Sequence, residues 1–175
     1  RTFTNTIMDL AVQCGVKTTM ILGSLLDAVP HTRELRVTGS STDQEWREAM
    51  EGLGIVRGST YQGPTGISSA LVEACDARDI THGSLWGHAP HYIQITPNPQ
   101  VTYAIMRHLT HITGLSLDLA ELKDTSVSFK ERCDRMVARE PSLGAYVSQL
   151  EKSFDEASAP PGNMPTPQEL LGDLE

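Results

Sequence analysis

The sequence predicts an α/β fold with a mostly parallel sheet, followed by an α-helical cap. Helical and strand-like segments alternate as far as residue 114. One sequence motif also occurs twice, sixty residues apart. The two copies are Leu25-x-x-x-Val29-Pro30-His31 and Leu85-x-x-x-Ala89-Pro90-His91. After residue 118 the apolar residues keep helical spacing only, which predicts the cap.

In the first half of the chain, segments with helical periodicity alternate with segments typical of strands. A helical pattern at 5–14 precedes an apolar run at 17–26, which is short enough to be a buried strand. Polar and apolar residues alternate over 31–39, which predicts a second strand. Asp43 is placed to cap a short helix at 44–51, and residues 55–61 are a candidate further strand.

The second half begins with a predicted helix at 67–78 and a buried strand at 83–88 that continues at 92–96. Asn98 and Pro99 open a helix that ends at Gly114, and Pro141 separates the later helices. We therefore expect three parts. They are an α/β core at 1–116, a helical appendage or lid at 117–156, and a proline-rich linker with a short amphipathic tail at 157–175. Because the core starts abruptly, we expect that it lacks earlier strands.

Composition excludes several classes of function. A net charge of −8 and a pI near 5.2 leave no dense basic stripe for nucleic acid or for an anionic membrane surface. No apolar run approaches the ~20 residues that span a bilayer, and the first residues lack a signal-peptide pattern. The three cysteines form no C-x-x-C pair and fit buried thiols in a reducing compartment. We expect a cytoplasmic protein, and nothing in the sequence calls for a cofactor.

The two Pro-His motifs locate a candidate site. Proline cannot donate to a sheet ladder, so each motif predicts a strand that breaks off and brings a histidine to the sheet rim. Open α/β sheets bind ligands beyond the strand ends. His31 and His91 are therefore candidates for general acid and base or for ligand donors. The alternative is that each imidazole only hydrogen-bonds nearby backbone groups in a tight loop.

A second candidate feature is a loop that directly precedes a predicted helix. Free amides at a helix N-terminus favour an anion, although the same loop could be a plain structural turn. Trp86, flanked by Gly87, favours core packing, with ligand stacking as the alternative. The predicted ligand-binding residues for a small anionic ligand are Gly63, Pro64, Thr65, Gly66, Trp86, His91 and Tyr92.

No metal site is predicted. His88 and His91 are separated by Pro90 and have no third ligand nearby in the sequence. His108 and His111 share one helix face but lack a carboxylate or cysteine partner, so a surface position is the better interpretation.

Residues 31–39 also predict an interface. The alternation in this segment suits an extended arm that pairs with another subunit through Arg33, Leu35 and Val37.

Residues 22–33, 61–67 and 84–92 resemble the proteasome assembly chaperone family, particularly its actinobacterial branch. These stretches hold both Pro-His motifs and the Gly-Pro-Thr-Gly loop between them, and the resemblance extends over about 5–155. It implies a three-layer α/β/α sandwich with a phosphorylase/hydrolase-like core, and a homotrimer. Eukaryotic relatives help to assemble the proteasome α-ring, whereas most bacterial members have no established activity.

Two hypotheses follow. The first is a non-catalytic binding or assembly protein whose partners are copies of itself and proteasome subunits. The second is an enzyme of hydrolase or phosphorylase-like type that binds a small anionic ligand at the sheet rim under the helical lid. In the second, His31 or His91 would transfer the proton. The second requires the loop at 63–66 and both histidines to meet in one pocket.

Overall fold

The computed structural model describes residues 2–57 and 66–158, in which the chain is mixed α/β. The described elements are, in chain order, α1 (Thr2–Gln13), β1 (Thr18–Asp27), β2 (Val37–Ser41), α2 (Gln44–Gly52), β3 (Val56–Arg57), α3 (Ile67–Asp76), β4 (Thr81–Pro90), α4 (Pro99–Thr113), α5 (Ala120–Ala138) and α6 (Pro141–Ser158).

The four strands form one sheet in the order β1-β4-β2-β3. β1 and β4 run parallel over ten residue pairs, from Thr18 opposite Thr81 to Asp27 opposite Pro90. β2 runs antiparallel to β4, and β3 runs parallel to β2. The described sheet is therefore mixed, with two parallel pairings and one antiparallel pairing. The connection at 28–36 is shorter than the dozen or more residues that a parallel crossover needs, so the chain returns in the opposite direction.

The main core lies between one face of the sheet and the helices α2 and α4. Leu85 of β4 is fully buried at its centre. Gly87 lets α4 approach closely, because a Cβ there would lie 2.6 Å from Cγ1 of Val101. The buried residues of this core are Leu35, Val37, Met50, Ile55, Leu85, Ala89, Val101, Ala104, Ile105, Leu109 and Ile112.

Two smaller apolar clusters attach the remaining helices. α1 packs on α3 around Met8 and Cys75. α5 packs along α4, and α6 packs on α5. Phe129 and Cys133 of α5 bury Ile93, which follows β4 in the chain. The helices after residue 118 are thereby joined to the carboxyl end of β4.

The helix boundaries confirm the capping residues read from the sequence. The carboxylate of Asp43 accepts from the N–H of Trp46 at the start of α2. The amide oxygen of Asn98 accepts from the N–H of Val101 at the start of α4. α4 ends at Gly114, whose φ of 70° is left-handed and favours glycine.

Several predicted boundaries differ from the structure. The predicted strand at 31–39 forms only from Val37, because residues 31–33 make a turn, and the predicted continuation at 92–96 is not a strand. Among the strands that the structure describes, β1 lies at the edge of the sheet and is not buried inside it. Cys14 is exposed and His108 is buried, both against expectation. The candidate strand at 55–61 and the loop at 63–65 lie partly or wholly outside the described residues. No helix within the described ranges is long and apolar enough to cross a membrane.

Candidate functional site

The two Pro-His motifs meet at one end of the sheet. β1 and β4 are adjacent and parallel, and Asp27, the last residue of β1, lies opposite Pro90, the last residue of β4. The residues that follow both strands therefore leave the sheet side by side. His31, His91 and Tyr92 come together there with Tyr146 of α6, and we call these four residues the histidine–tyrosine cluster.

His31 is almost fully buried, with 1% of its surface exposed. Its backbone N–H donates to Oη of Tyr92 (2.9 Å), and its Nδ1 lies 2.7 Å from the same oxygen. Its Nε2 lies 3.1 Å from Oδ1 of Asp134 on α5. An ionised carboxylate only accepts, so Nε2 carries the proton and donates to Asp134. Nδ1 is then the acceptor for the Tyr92 hydroxyl.

His91 has the opposite tautomer. Its Nδ1 lies 3.0 Å from the carbonyl oxygen of Asp27, so Nδ1 carries the proton and donates to that oxygen. Its Nε2 lies 3.1 Å from Oη of Tyr146, which therefore donates to it. The rings of His91 and Tyr146 meet edge to face, with centroids 5.7 Å apart. The second Pro-His motif thus contacts α6, as the first contacts α5.

Burial sets the protonation state of the cluster. It lowers the pKa of His31, and the attraction of Asp134 for the imidazolium only partly offsets this effect. Burial also raises the pKa of Tyr92 to about 12, although the hydrogen bond from the His31 N–H acts in the other direction. At neutral pH His31 is therefore a neutral imidazole beside a neutral phenol.

The residues that follow His31 also hold the last helix. The guanidinium of Arg33 donates from Nε and Nη2 to the two carboxylate oxygens of Asp155, at 2.8 Å each. Thr32 donates to the carboxylate of Glu151. The guanidinium of Arg36 lies 5.5 Å from the ring centroid of Phe154. The C-terminal part of α6 is consequently tied to the segment between β1 and β2.

The predicted oligomer interface falls in this same segment. Leu35 and Val37 are buried in the core of their own chain, where a second subunit does not reach them. Arg33 is half-buried and pairs with Asp155 and Glu151. An interface between copies at this segment stays a prediction, and in this structure only the polar residues between the buried ones are available to form it.

The predicted ligand-binding residues are not brought into one place. His91 and Tyr92 lie in the histidine–tyrosine cluster. Trp86 lies four residues before Pro90, the last residue of β4, which is about 13 Å along the strand at ~3.3 Å per residue. Its ring lies against Gly23, where a Cβ would come within 2.4 Å of the indole. Gly66 is the N-cap of α3, and residues 63–65 lie outside the described part.

The sequence analysis did not identify the partners of the two histidines. Asp27 had a local signal, because it is a carboxylate that ends an apolar strand just before a Pro-His motif. Asp134 and Tyr146 had no such signal in the sequence, since each is one polar position on an amphipathic helix. His31 and Asp134 are 103 residues apart, and only the packing of α5 brings them together.

The hydrogen bonds of the histidine–tyrosine cluster join the segments that follow β1 and β4 to α5 and α6. The cluster is not an open reaction centre. All four ring nitrogens of His31 and His91 have protein partners at 2.7–3.1 Å. A substrate would have to displace one of those partners to reach an imidazole. Among residues 2–57 and 66–158, no three His, Cys, Asp or Glu side chains are arranged to hold a metal ion.

Comparison with known proteins places the chain among structures of the same fold. It is similar to a PAC2 family protein from Streptomyces avermitilis (32% identity, TM-score 0.71, covering 84% of this chain and 60% of that one). It is also similar to the Mycobacterium tuberculosis proteasome-assembly chaperone homologue Rv2125 (29%, 0.71, 84% and 61%). A third similar structure is the M. tuberculosis protein of unknown function Rv2714 (26%, 0.79, 89% and 52%).

The chain spans 52–61% of the length of these three structures. No curated protein matches the sequence. The PAC2 family matches residues 1–137, which include the sheet, both Pro-His motifs and most of α5. From this match we conclude that the chain belongs to the PAC2 family.

Proposed function

We propose that this protein is a non-catalytic binding protein that assists proteasome assembly in the cytoplasm, with proteasome α-subunits as its partners. In this proposal the chain folds as a three-layer α/β/α sandwich and works as a homo-oligomer, a trimer. Membership in the PAC2 family and the similarity to a proteasome-assembly chaperone homologue support the role.

The observation that carries the proposal is an exposed apolar surface on α1 and β1. Phe3, Ile7 and Leu10 are 63%, 41% and 59% exposed and recur every three or four residues, so they form one stripe along α1. Leu22 and Leu26 of β1 are also exposed and share one face of the strand. α1 and β1 thus present two separate apolar surfaces, and exposed apolar surface of this kind marks sites of protein interaction.

The backbone of β1 adds a second element to this surface. β1 lies at the end of the strand order, so within the described residues one of its edges has no strand beside it. An edge strand offers a row of N–H and C=O groups to an added strand. Ten residues of edge flanked by exposed leucines suit an extended polypeptide segment better than a small molecule.

The test is a binding assay with matched surface variants. Leu26→Asp places a charge on the exposed surface of β1, and Val127→Asp places the same charge on α5, where the native residue is 52% exposed. We expect the wild type and Val127→Asp to retain purified proteasome α-subunits, and Leu26→Asp to lose at least tenfold in affinity, about 1.4 kcal/mol.

Two outcomes would count against the proposal. If the wild-type chain does not retain α-subunits, the assembly role fails. If Leu26→Asp binds as tightly as Val127→Asp, the β1 surface is not the binding site. Sedimentation of the same samples measures the oligomeric state, and a monomer at all concentrations would exclude the trimer.

A further inference from the structure

We propose that Thr38, His88 and Asp27 form a second site, in which the Thr38 hydroxyl accepts an acyl group from a small ester. The three residues come from three neighbouring strands, β2, β4 and β1. They hydrogen-bond in the order nucleophile, base and carboxylate that acyl transfer requires. The proposal does not depend on the binding role, and the non-catalytic function proposed above refers to the α1 and β1 surfaces alone.

The three side chains are connected by short contacts. Oγ1 of Thr38 lies 3.0 Å from Nε2 of His88. Nδ1 of His88 lies 2.7 Å from Oδ2 of Asp27. The other carboxylate oxygen, Oδ1, accepts from the N–H of Ala28 at 2.7 Å. Both oxygens of Asp27 are therefore held, and the carboxylate in turn fixes the orientation of the imidazole.

The direction of each hydrogen bond follows from the charge on Asp27. Burial raises the pKa of Asp27, but the hydrogen bonds from His88 and Ala28 outweigh burial and leave the pKa below its ordinary value. The ionised carboxylate only accepts, so His88 carries its proton on Nδ1. In the neutral imidazole Nε2 then has a lone pair directed at the Thr38 hydroxyl, which donates to it. This is the tautomer that a general base needs.

The site lies on the face of the sheet opposite to the main core. Thr38 lies opposite Trp86 in the register, and His88 is two residues further along β4. Side chains alternate across a strand, so Trp86 and His88 lie on the face opposite to Leu85. Thr38 and His88 are 8% and 6% exposed, whereas Leu25, which pairs with His88, is 37% exposed.

The reaction conserves atoms and charge, with water as the only further reagent. Oγ1 of Thr38 attacks the carbonyl carbon of the ester while its proton moves to Nε2 of His88. The tetrahedral intermediate collapses, the C–O bond to the alcohol breaks, and the departing alkoxide takes the proton from Nε2. Water then attacks the acyl-threonine with Nε2 as base, which releases the carboxylic acid and restores Thr38.

The test uses p-nitrophenyl acetate with the intact 175-residue chain. Release of p-nitrophenolate gives the rate, the mass of the intact protein counts acetyl groups, and peptide mapping locates them. We expect one acetyl group, and we expect it on Thr38. Asp27 acts as a positioning residue through His88, so Asp27→Asn should slow acylation about 10²-fold or more.

Three further variants separate chemistry from folding. Thr38→Ser keeps a hydroxyl and should keep the label, whereas Thr38→Val should lose it. Ser40→Ala removes an exposed hydroxyl two residues away on the same face and should acylate at the wild-type rate. Acetyl groups found only on other residues of the wild type would overturn the proposal. So would an unchanged rate in Asp27→Asn, or loss of the label in a folded Thr38→Ser.

Discussion

The hydroxyl of Tyr92 offers the sharpest test of how the helical hairpin is held. Tyr92→Phe removes one oxygen that accepts from the His31 N–H and donates to His31 Nδ1. His31 is 1% exposed, so water does not readily replace either contact. Each unsatisfied buried group costs about 1–3 kcal/mol. We therefore expect the free energy of unfolding to fall by roughly 2–4 kcal/mol, from two such groups with partial relaxation.

Urea unfolding followed by circular dichroism measures this loss, with Tyr146→Phe as the matched control. Tyr146 is 37% exposed and makes one hydrogen bond to His91, which water can replace. Its loss should cost about 1 kcal/mol or less. For a chain of this size, 3 kcal/mol corresponds to a fall of roughly 6–12 °C in Tm. If Tyr92→Phe costs no more than Tyr146→Phe, the buried hydroxyl does not hold His31 as inferred.

Two further perturbations test the charge and the packing of the fold. Burial keeps the pKa of His31 below its ordinary 6.5, so the unfolded chain binds this proton at a higher pH than the folded chain does. The free energy of unfolding should consequently fall as the pH drops below about 6.5, and urea titrations of His31→Asn should show a smaller fall between about pH 7 and about pH 5. Gly39→Ala would bring a Cβ within 2.6 Å of the carbonyl oxygen of Ser84, and should cost about 1–3 kcal/mol. Gly52→Ala meets no atom within 4 Å and should instead stabilise by about 0.5–1 kcal/mol, so equal melting temperatures for the two variants would contradict the packing described.

The order and type of the elements could be predicted because their signals are local. Periodicity distinguishes helix from strand within a window of about ten residues. Asp43, Asn98 and Gly114 act within one helical turn of their own positions, and all three have the capping roles read from the sequence. The doubled Pro-His motif predicted that both strands stop at proline, and this holds for β4, which ends at Pro90, whereas β1 ends at Asp27, three residues before Pro30.

The direction and position of the strands needed the tertiary structure. β1 and β4 both read as buried apolar runs, yet β1 lies at the edge with Leu26 64% exposed, and β4 lies inside the sheet with Leu85 fully buried. Strand order depends on which strands pair, and pairing is a contact between residues far apart in the chain. No local pattern in either apolar run shows which strand will pair with it.

The candidate site also depends partly on local signals and partly on tertiary contacts. The sequence alone determined that His31 and His91 lie beyond the ends of two strands, because a proline precedes each histidine and that rule involves only adjacent residues. Only the tertiary structure decided that His31 meets Asp134, that His91 meets Tyr146, and that His88 lies between Thr38 and Asp27. Each of those contacts joins residues 50 or more positions apart. Such contacts form only when the sheet and the helices pack against one another.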